Sequence, residues 1–499
     1  MFELLLGGFA TVLSTPSILI SLIIGVVLGT VLGAIPGLTA TMAIALVIPL
    51  TFYMDPVQSL SMLIGAYNGG TFGGSISAIL LGAPGTPAAA ATVADGFKMA
   101  LQGKGAKAIK MALFASVSGC LFSCIVLVLI AEPIARYALK FGPAEYTVLM
   151  VFSLTIIGSA AGKSVIKGFI GGLLGLLFGM VGLDSIASVT RFTFDSPNLA
   201  SGIDLIVMLI GSLALSEVLV QVESVARGKV DAHLPPPRQP DDARLSWREY
   251  IANIKTIARS AAIGCGIGAL PGLGTTLAAY IGYDMAKRNS KHPEEFGQGA
   301  IEGVAAAETA NNAVCGANLI PLLALGVPGD AMAAIMIGAF MVQGLTPGPL
   351  VFREAPQVIA GLYAGLILSN LLLALFVMTC YKGFTKVSQL ETTVIFPVVF
   401  VFCFIGVYAL NQSVTDVWIM LFFAVIGYIM VKFDYSPATM MIGFILSPLL
   451  EVNLRQALLI SGNNPAIFFS TPITWFFWLV TVYSVFTIIR SRRRSSKPI

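Results

Sequence analysis

The sequence has little charge and almost no histidine. Of its 499 residues, 11% are Asp, Glu, Lys or Arg, whereas a soluble globular domain has about 25%. The two histidines, His233 and His292, both lie in charged loops rather than in apolar segments. A membrane-embedded enzyme would need an intramembrane cluster such as Ser-His, paired aspartates or His with Glu. We therefore expect no catalytic site, no cofactor and no resident metal.

Other common functional patterns are also missing. The six cysteines lie in apolar stretches, and Cys120 and Cys124 are only one helical turn apart, which favours small buried hydrophobic side chains over a redox or zinc site. The string IGSAAGKSV at 157–165 is one residue too short for a phosphate-binding loop, which argues against an ATP-driven pump. The arginine-rich end, RSRRRSSKPI, has no soluble domain beside it, so we expect no nucleic-acid binding.

What the sequence has is long apolar runs. Hydrophobic residues make up 57% of the chain, and several segments approach or exceed the ~20 residues that a helix needs to cross a bilayer. These segments are 17–35, 147–161, 166–183, 199–220, 361–380, 393–410, 417–431 and 473–489. The sequence therefore predicts an all-α polytopic membrane protein with about 10–12 transmembrane helices.

The positions of the basic residues predict the topology. They concentrate in the loops around 98–110, 163–167, 223–259 and 284–295 and at the C-terminal end. Basic loops are enriched on the cytoplasmic side. We therefore expect the polar linker 223–259 and the basic tail 491–499 to be cytoplasmic.

An internal repeat joins the two halves of the chain. GAIPGLTAT at 33–41 matches GALPGLGTT at 268–276, and the segment at 67–86, ending in GAPGT, matches the segment at 311–330, ending in GVPGD. Asn68 corresponds to Asn312 in this alignment. Each half thus has a first Pro-Gly turn, an Asn-bearing segment and a second Pro-Gly turn.

Equivalent loops of the two halves carry opposite charge bias, which predicts an inverted-topology repeat with broken helices or re-entrant hairpins. We divide the chain into an N-terminal transmembrane half, 1–222, with the first repeat at about 17–110, then the linker 223–259. The second repeat follows at 260–380, then C-terminal helices at 381–490 and the tail. Those C-terminal helices are candidates for contact with another subunit or for a homodimer.

The Pro-Gly pairs predict a binding site inside the membrane. Proline removes a backbone donor and glycine relaxes the helix, and unpaired backbone groups are tolerated at membrane depth only where protein or a polar cavity receives them. Matched interruptions in two halves mark the substrate site of secondary transporters, whereas ordinary proline kinks are the alternative interpretation. The predicted substrate-binding residues are Pro36, Gly37, Thr39, Thr41, Asn68, Gly69, Gly70, Thr71, Pro84, Gly85, Thr86, Pro271, Gly272, Gly274, Thr275, Thr276, Asn311, Asn312, Pro328 and Gly329.

Four residues are candidates for coupling transport to an ion. Asn68 and Asn312 offer amide groups, and Glu308 and Asp330 are carboxylates in apolar surroundings, which are functional candidates by default. Asp330 stands where the first half has Thr86, and its alternative role is a capping carboxylate at a helix start. The ion could be sodium or a proton.

The paired strings resemble the large membrane subunit of tripartite tricarboxylate transporters, the TctA family, and the resemblance covers about residues 17–450. It implies a multi-pass permease of the bacterial inner membrane that works with a small TctB-like membrane subunit and a periplasmic TctC-like solute-binding protein. Such a system takes up tricarboxylates or other small carboxylates with a sodium or proton gradient. The alternatives left open are an ion-coupled carboxylate transporter, or a channel, that works without a binding protein.

Overall fold

The computed structural model describes residues 2–160, 164–184, 186–227, 244–387 and 392–495. The chain is 79% helical. The helices of the first part are α1 (Phe2–Ser14), α2 (Pro16–Ala34), α3 (Ala40–Val47), α4 (Pro56–Leu81), α5 (Ala90–Leu101), α6 (Gly105–Ala138), α7 (Pro143–Ala160), α8 (Val165–Gly179), α9 (Leu205–Leu209) and α10 (Ser216–Ala226). A two-stranded antiparallel hairpin, β1 (Gly182–Leu183) and β2 (Thr190–Arg191), lies between α8 and α9.

The second part is also helical. Its helices are α11 (Trp247–Ala252), α12 (Ile254–Gly268), α13 (Gly274–Asn289), α14 (Ile301–Ala317), α15 (Leu319–Leu325), α16 (Ala331–Val342), α17 (Val351–Glu354), α18 (Pro356–Val387), α19 (Thr392–Asn411), α20 (Val414–Lys432), α21 (Pro437–Ile460) and α22 (Pro472–Ser495). Parts of the predicted linker 223–259 and tail 491–499, namely 228–243 and 496–499, lie outside the described residues.

Six helices of the described chain are long and apolar enough to cross a membrane, which confirms the predicted all-α polytopic class. They are Pro16–Ala34, Gly105–Ala138, Leu205–Ala226, Pro356–Tyr381, Val414–Lys432 and Pro437–Ile460. Further apolar helices have 10–17 residues, and a helix of 15 residues is about 22 Å long, less than the ~30 Å of a hydrocarbon core. The count of about 10–12 crossings stays a prediction.

The two sequence repeats fold into the same order of elements. The first repeat consists of α2, a Pro-Gly turn, α3, the long helix α4, a second Pro-Gly turn and α5. In the second repeat α12 corresponds to α2, α13 to α3, α14 with α15 to α4, and α16 to α5. The long helices end at equivalent glycines, Gly82 with φ 67° and Gly326 with φ 72°. This left-handed conformation strains residues with a side chain, so both repeats stop the helix by the same device.

Glycines let the helices of each repeat approach closely. Gly25, Gly29 and Gly33 of α2 lie against α4, where an added Cβ on Gly69 would be 2.5 Å from the carbonyl oxygen of Val26. In the second repeat Gly264 of α12 lies against the backbone of α14. Small residues at helix interfaces permit this contact in membranes, and it holds each long helix against its partner.

Equivalent residues of the two long helices meet in the buried interior. Cys315 of α14 and Thr71 of α4 occupy matching positions in the repeat, and the distance between Cys315 Sγ and Thr71 Oγ1 is 3.8 Å. Helix α6 packs along α14, and α18 packs along α4. The repeats therefore share one buried interface rather than forming separate bundles.

The hairpin anchors the C-terminal helix α21. Arg455 on α21 contacts Asp184 at 2.6 Å, and Glu451 on α21 contacts Arg191 at 2.6 Å. The backbone N–H groups of Ala187 and Ile186, together with the Arg455 guanidinium, hold the pKa of Asp184 well below its usual range. This ion-pair cluster fixes the far end of the helix whose beginning lines the cavity described next.

Candidate functional site

A cavity of about 480 Å³ lies where several helices begin. The starts of α3, α13, α16 and α21 and the turn before α5 all contribute lining residues. The lining comprises Thr39, Ala40, Thr41, Thr86, Pro87, Ser212, Leu213, Ser216, Glu217, Gly272, Leu273, Gly274, Thr275, Thr276, Asp330, Ala331, Met332, Val431, Ser436, Pro437, Ala438, Thr439 and Ile442. Both repeats, together with α10, α20 and α21, therefore enclose one space.

The first Pro-Gly turn of each repeat redirects the chain into this cavity. Gly37 has φ 87° and Gly272 has φ 85°, a region that strains residues with a side chain. After the turn, Thr39 caps α3 and accepts a hydrogen bond from the backbone N–H of Met42 at 3.2 Å. The second copy has Gly274, with φ 68°, at the equivalent helix start, so a threonine cap and a glycine serve the same position.

The second turns bring Asp330 and Thr86 to the same cavity. Asp330 begins α16 and accepts a hydrogen bond from Ala333 N–H at 2.9 Å, whereas Thr86 accepts one from Ala89 N–H at 3.3 Å. In the second repeat, Gly272 N–H donates to Gly329 O at 2.5 Å, which joins the two Pro-Gly turns. Asp330 thus both caps a helix and faces the cavity.

Three threonine hydroxyls in the lining are available to a ligand. Within the described chain Thr41, Thr275 and Thr276 make no side-chain hydrogen bond. A hydroxyl can donate to an oxygen anion or accept from a protonated group. These side chains follow the two first Pro-Gly turns, where sequence analysis predicted them.

Residues outside the repeats complete the lining, and sequence analysis missed them. A π-helical turn, Ile210–Leu215, interrupts the apolar span between α9 and α10. Ser212 lies within this turn and Ser216 directly follows it, and both line the cavity. Such turns occur frequently at functional sites. Glu217 follows, and its carboxylate accepts a hydrogen bond from Gln221 Nε2 at 3.0 Å. The signal in the sequence was a pair of serines four positions apart, Ser212 and Ser216, followed by Glu217 in an apolar run.

In the part of the chain that the structure describes, the cavity contains carboxylates but no basic side chain. Glu217 and Asp330 line it, and among the described residues no Lys or Arg does. Helix N-termini present free N–H groups and a positive dipole end, and they bind anions without a basic side chain. An anion here would therefore be met by helix starts and hydroxyls, with a cation or proton offsetting the two carboxylates.

Several predicted site residues shape the turns instead of lining the cavity. Pro36, Gly37, Pro84, Pro271 and Pro328 lie in the turns but not in the lining. Gly85 donates its N–H to Gly74 O at 3.2 Å, and Gly329 packs against the side chain of Asn318. Gly69 and Gly70 lie at helix contacts, and Thr71 donates its hydroxyl to Tyr67 O at 2.9 Å. Their binding role stays a prediction.

The predicted asparagines lie in buried polar contacts outside the cavity lining. Asn68 Nδ2 donates to Ser369 Oγ at 2.5 Å, and Asn312 Nδ2 donates to Ser116 Oγ at 2.8 Å. Asn311 is 1% exposed, and neither of its amide atoms has a hydrogen-bond partner in the described chain. Glu308 is fully buried beside Asn312. Of the four residues predicted to couple transport to an ion, Asp330 therefore lines the cavity, whereas Glu308, Asn68 and Asn312 do not.

The described residues contain no group of three or more His, Cys, Asp or Glu side chains that could hold a metal ion. The chemistry available in the cavity is reversible binding by hydroxyls, helix N-termini and carboxylates. The arrangement defines a class: helical membrane proteins whose broken helices surround a cavity that carries hydroxyl and carboxylate side chains.

The chain belongs to the tripartite tricarboxylate transporter TctA family, whose model matches residues 19–442. Family membership makes it a membrane subunit of a transporter that has other subunits. A relative from Agrobacterium vitis, described as an uncharacterized 52.8 kDa protein in the TAR-I ttuC' 3'region, is 36% identical over 434 residues, covering 87% of this chain and 85% of the relative. A second A. vitis relative, described as an uncharacterized protein in the TAR-II ttuC' 3'region, is 39% identical over 207 residues, covering 42% of this chain and 86% of that protein. No solved structure matches the chain.

Proposed function

We propose that the chain is the permease subunit of a binding-protein-dependent secondary transporter that takes up tricarboxylates or other small carboxylates. A periplasmic solute-binding protein delivers the substrate, a small membrane subunit completes the complex, and a sodium or proton gradient drives uptake. The complex lies in the bacterial inner membrane with the C-terminus in the cytoplasm.

The convergence of helix starts on one cavity is the observation that carries this proposal. Thr39 caps α3, Gly274 begins α13 and Ser436 precedes α21. Each helix start carries a partial positive charge of about half a unit. Several of them around one space suit a ligand with more than one carboxylate, and the unpaired hydroxyls of Thr41, Thr275 and Thr276 supply directional hydrogen bonds.

The size of the cavity supports a small substrate. Its volume of about 480 Å³ lies at the lower end of the ~300–1,000 Å³ typical of small-molecule sites. The carboxylates of Asp330 and Glu217 would repel an anion, so substrate entry requires a co-bound cation or protonation of one of them. This requirement supports coupling of substrate binding to an ion.

The contact between Thr71 and Cys315 supports the two-fold relation of the repeats. Equivalent residues touch each other when they lie near a two-fold axis, and these two are 3.8 Å apart at their side-chain heteroatoms. An inverted repeat of this kind would let the same turns open alternately toward the two sides of the membrane.

The test is uptake into proteoliposomes that contain the permease and its small subunit. Radiolabelled mono-, di- and tricarboxylates are supplied with and without the binding protein and with and without an imposed sodium or proton gradient. Accumulation that needs both the gradient and the binding protein supports the proposal and identifies the acid. Flux that needs neither would favour a channel, and gradient-driven uptake without the binding protein would favour a stand-alone ion-coupled transporter.

A further inference from the structure

A fully buried carboxylate, Glu308, lies at the interface of the two repeats away from the cavity. It is 0% exposed in the middle of α14. Its partners in the described chain are neutral: the Thr92 hydroxyl donates to Oε1, the Ser116 hydroxyl donates to Oε2 at 3.2 Å, and Asn312 Nδ2 lies 3.5 Å from Oε2. An ionised carboxylate buried without a cation is costly, and such groups bind a proton instead.

These partners come from different parts of the fold. Thr92 belongs to α5, which begins after the second Pro-Gly turn of the first repeat, whereas Glu308 belongs to the second repeat. Ser116 belongs to α6, which packs along α14. A change of charge on Glu308 therefore acts on a contact between repeats, because an ionised carboxylate only accepts hydrogen bonds whereas a protonated one also donates.

Among the described residues no charged side chain forms an ion pair with Glu308. In the described chain three titratable groups on the surrounding elements have other partners: Asp95 of α5 accepts from Tyr283 and three backbone N–H groups, Lys107 of α6 pairs with Glu249, and Arg259 of α12 contacts Thr256. On α14 itself, Glu302 accepts from Thr256 and Ser290. Further titratable groups on or next to these elements, none hydrogen-bonded to Glu308, are Tyr67, Lys98, Lys104, Lys110, Cys120, Cys124, Glu132, Arg136, Tyr137, Lys255, Cys265, Tyr280, Asp284, Lys287, Arg288 and Cys315.

We infer that Glu308 is the proton carrier of transport: it takes a proton from the aqueous phase on one side of the membrane and releases it on the other as the repeat interface rearranges. This inference rests on the proposed transport function and makes the coupling ion a proton. The net step is association of H⁺ with the carboxylate followed by its dissociation, with no other bond made or broken.

A line of contacts connects this carboxyl to the cavity. Along α14, Glu308, Asn312 and Cys315 occupy one face at helical spacing, covering about 10 Å. Cys315 contacts Thr71, and Thr71 Oγ1 lies 3.9 Å from Sδ of Met332, which lines the cavity. Substrate in the cavity and a proton on Glu308 therefore act on the same pair of long helices.

The donors around Glu308 favour a proton over a sodium ion. A hard cation needs a shell of oxygen ligands, but Asn312 directs its NH₂ group toward Glu308 and Ser116. The Thr92 hydroxyl is also a donor to the carboxylate. These donors stabilise the ionised carboxylate whereas burial favours the protonated one, so Glu308 can both hold and release a proton. Two hydroxyls and an NH₂ group do not form the oxygen shell that a sodium ion needs.

The first test requires no substrate. Infrared spectra of the complete transporter in lipid are recorded over a pH series for wild type, E308Q and the matched control E302Q, which alters the same residue type on the same helix. We expect wild type and E302Q to show a protonated-carboxyl C=O band that is missing in E308Q. Spectra in which E308Q and wild type show the same protonated-carboxyl bands at every pH would overturn the inference, whether or not any carboxylate is transported.

The second test measures coupling with radiolabelled citrate, or with the best-accumulated acid of the panel above. An imposed gradient of one pH unit supports about tenfold accumulation per coupled proton. We expect E308Q to lose this accumulation while it still exchanges internal for external substrate, and E302Q to retain it. Full pH-driven accumulation by E308Q would overturn the inference. If E308Q does not fold, E308D serves in its place, and an unchanged pH profile of uptake in E308D would likewise overturn it.

Discussion

The two repeats share a scaffold but differ in chemistry. Both use a Pro-Gly turn with a left-handed glycine, Gly37 or Gly272, and both end the long helix at a left-handed glycine. The second turn of the first repeat presents Thr86, whereas that of the second presents Asp330. The position equivalent to Glu308 is Ile64. The glycine turns are therefore alike in the two repeats, whereas Asp330 and Glu308 have no acidic counterpart in the first repeat.

The features that the two repeats share serve folding, whereas the carboxylates that only the second repeat has at these positions serve binding and coupling. Turn geometry and close helix contact recur because each copy must redirect its backbone at membrane depth without unpaired groups. In each pair of equivalent positions, Thr86 with Asp330 and Ile64 with Glu308, one carboxylate is enough to bind one proton or cation. A second carboxylate at the matching position would add like-charge repulsion.

The largest expected effect comes from disrupting close helix contact in the first repeat. A Cβ on Gly29 would collide with the backbone of Ala66, so Gly29→Leu must separate α2 from α4. We expect the free energy of unfolding to fall by about 3 kcal/mol or more, measured by thermal unfolding of the purified protein. Gly266→Leu on α12 is the matched control because a Cβ added to Gly266 would have no neighbouring atom within 4 Å; equal effects of the two changes would contradict the packing argument.

The next effect distinguishes the two roles of Asp330. Asp330→Asn keeps the helix cap, since Asn caps as well as Asp, but removes the charge from the cavity. We expect an unchanged melting temperature and a fall in kcat/KM for uptake of about tenfold to a hundredfold, because Asp330 would lose ~1.5–3 kcal/mol of charge-assisted interaction with a cation that binds together with the substrate.

Thr86→Val makes the matching change in the first repeat and removes only neutral hydrogen bonds. We expect a loss of about threefold to tenfold in kcat/KM. If Asp330→Asn transports like wild type, Asp330 is a capping residue alone, and the chemical asymmetry at the second turns has no role in uptake.

A moderate effect is expected at the unpaired hydroxyls after the second repeat's first turn. Thr276→Val removes one hydrogen bond to substrate, worth about 0.5–1.5 kcal/mol, so KM should rise about threefold to tenfold with kcat nearly constant. Thr11→Val, on α1 and outside the cavity, is the control. Unchanged KM for Thr276→Val combined with a raised KM for Thr41→Val would place binding in the first repeat alone.

The smallest effect on transport is expected for Asn68, in contrast with its equivalent Asn312. Asn68→Ala removes the hydrogen bond to Ser369 of α18, which lowers stability by about 1–3 kcal/mol but leaves coupling intact. Asn312→Ala disturbs the group next to Glu308 and should reduce ion-driven uptake. Loss of uptake in folded Asn68→Ala would restore the symmetric role that the sequence predicted for the two asparagines.

The repeat predicted some residues of the cavity lining but not all of them. Proline and glycine at matched positions predicted the turns, and the threonines next to them line the cavity. Asn68 was grouped with them because it also matches across the repeat. Spacing along a helix does not reveal which neighbour a side chain faces, and the Asn68 amide bonds to Ser369, about 300 positions away in the chain.

The sequence by itself determined the class, the family resemblance and the sites of helix interruption, because hydropathy, proline and glycine act locally on the backbone. Only the tertiary structure decided which helix starts meet, since Ser216, Ser436 and Thr439 approach the cavity from helices outside the repeats. It also decided that Asp330 faces the cavity while Glu308 lies buried between the repeats. The physical reason is that burial and charge environment depend on contacts between segments far apart in the chain, which no local pattern encodes.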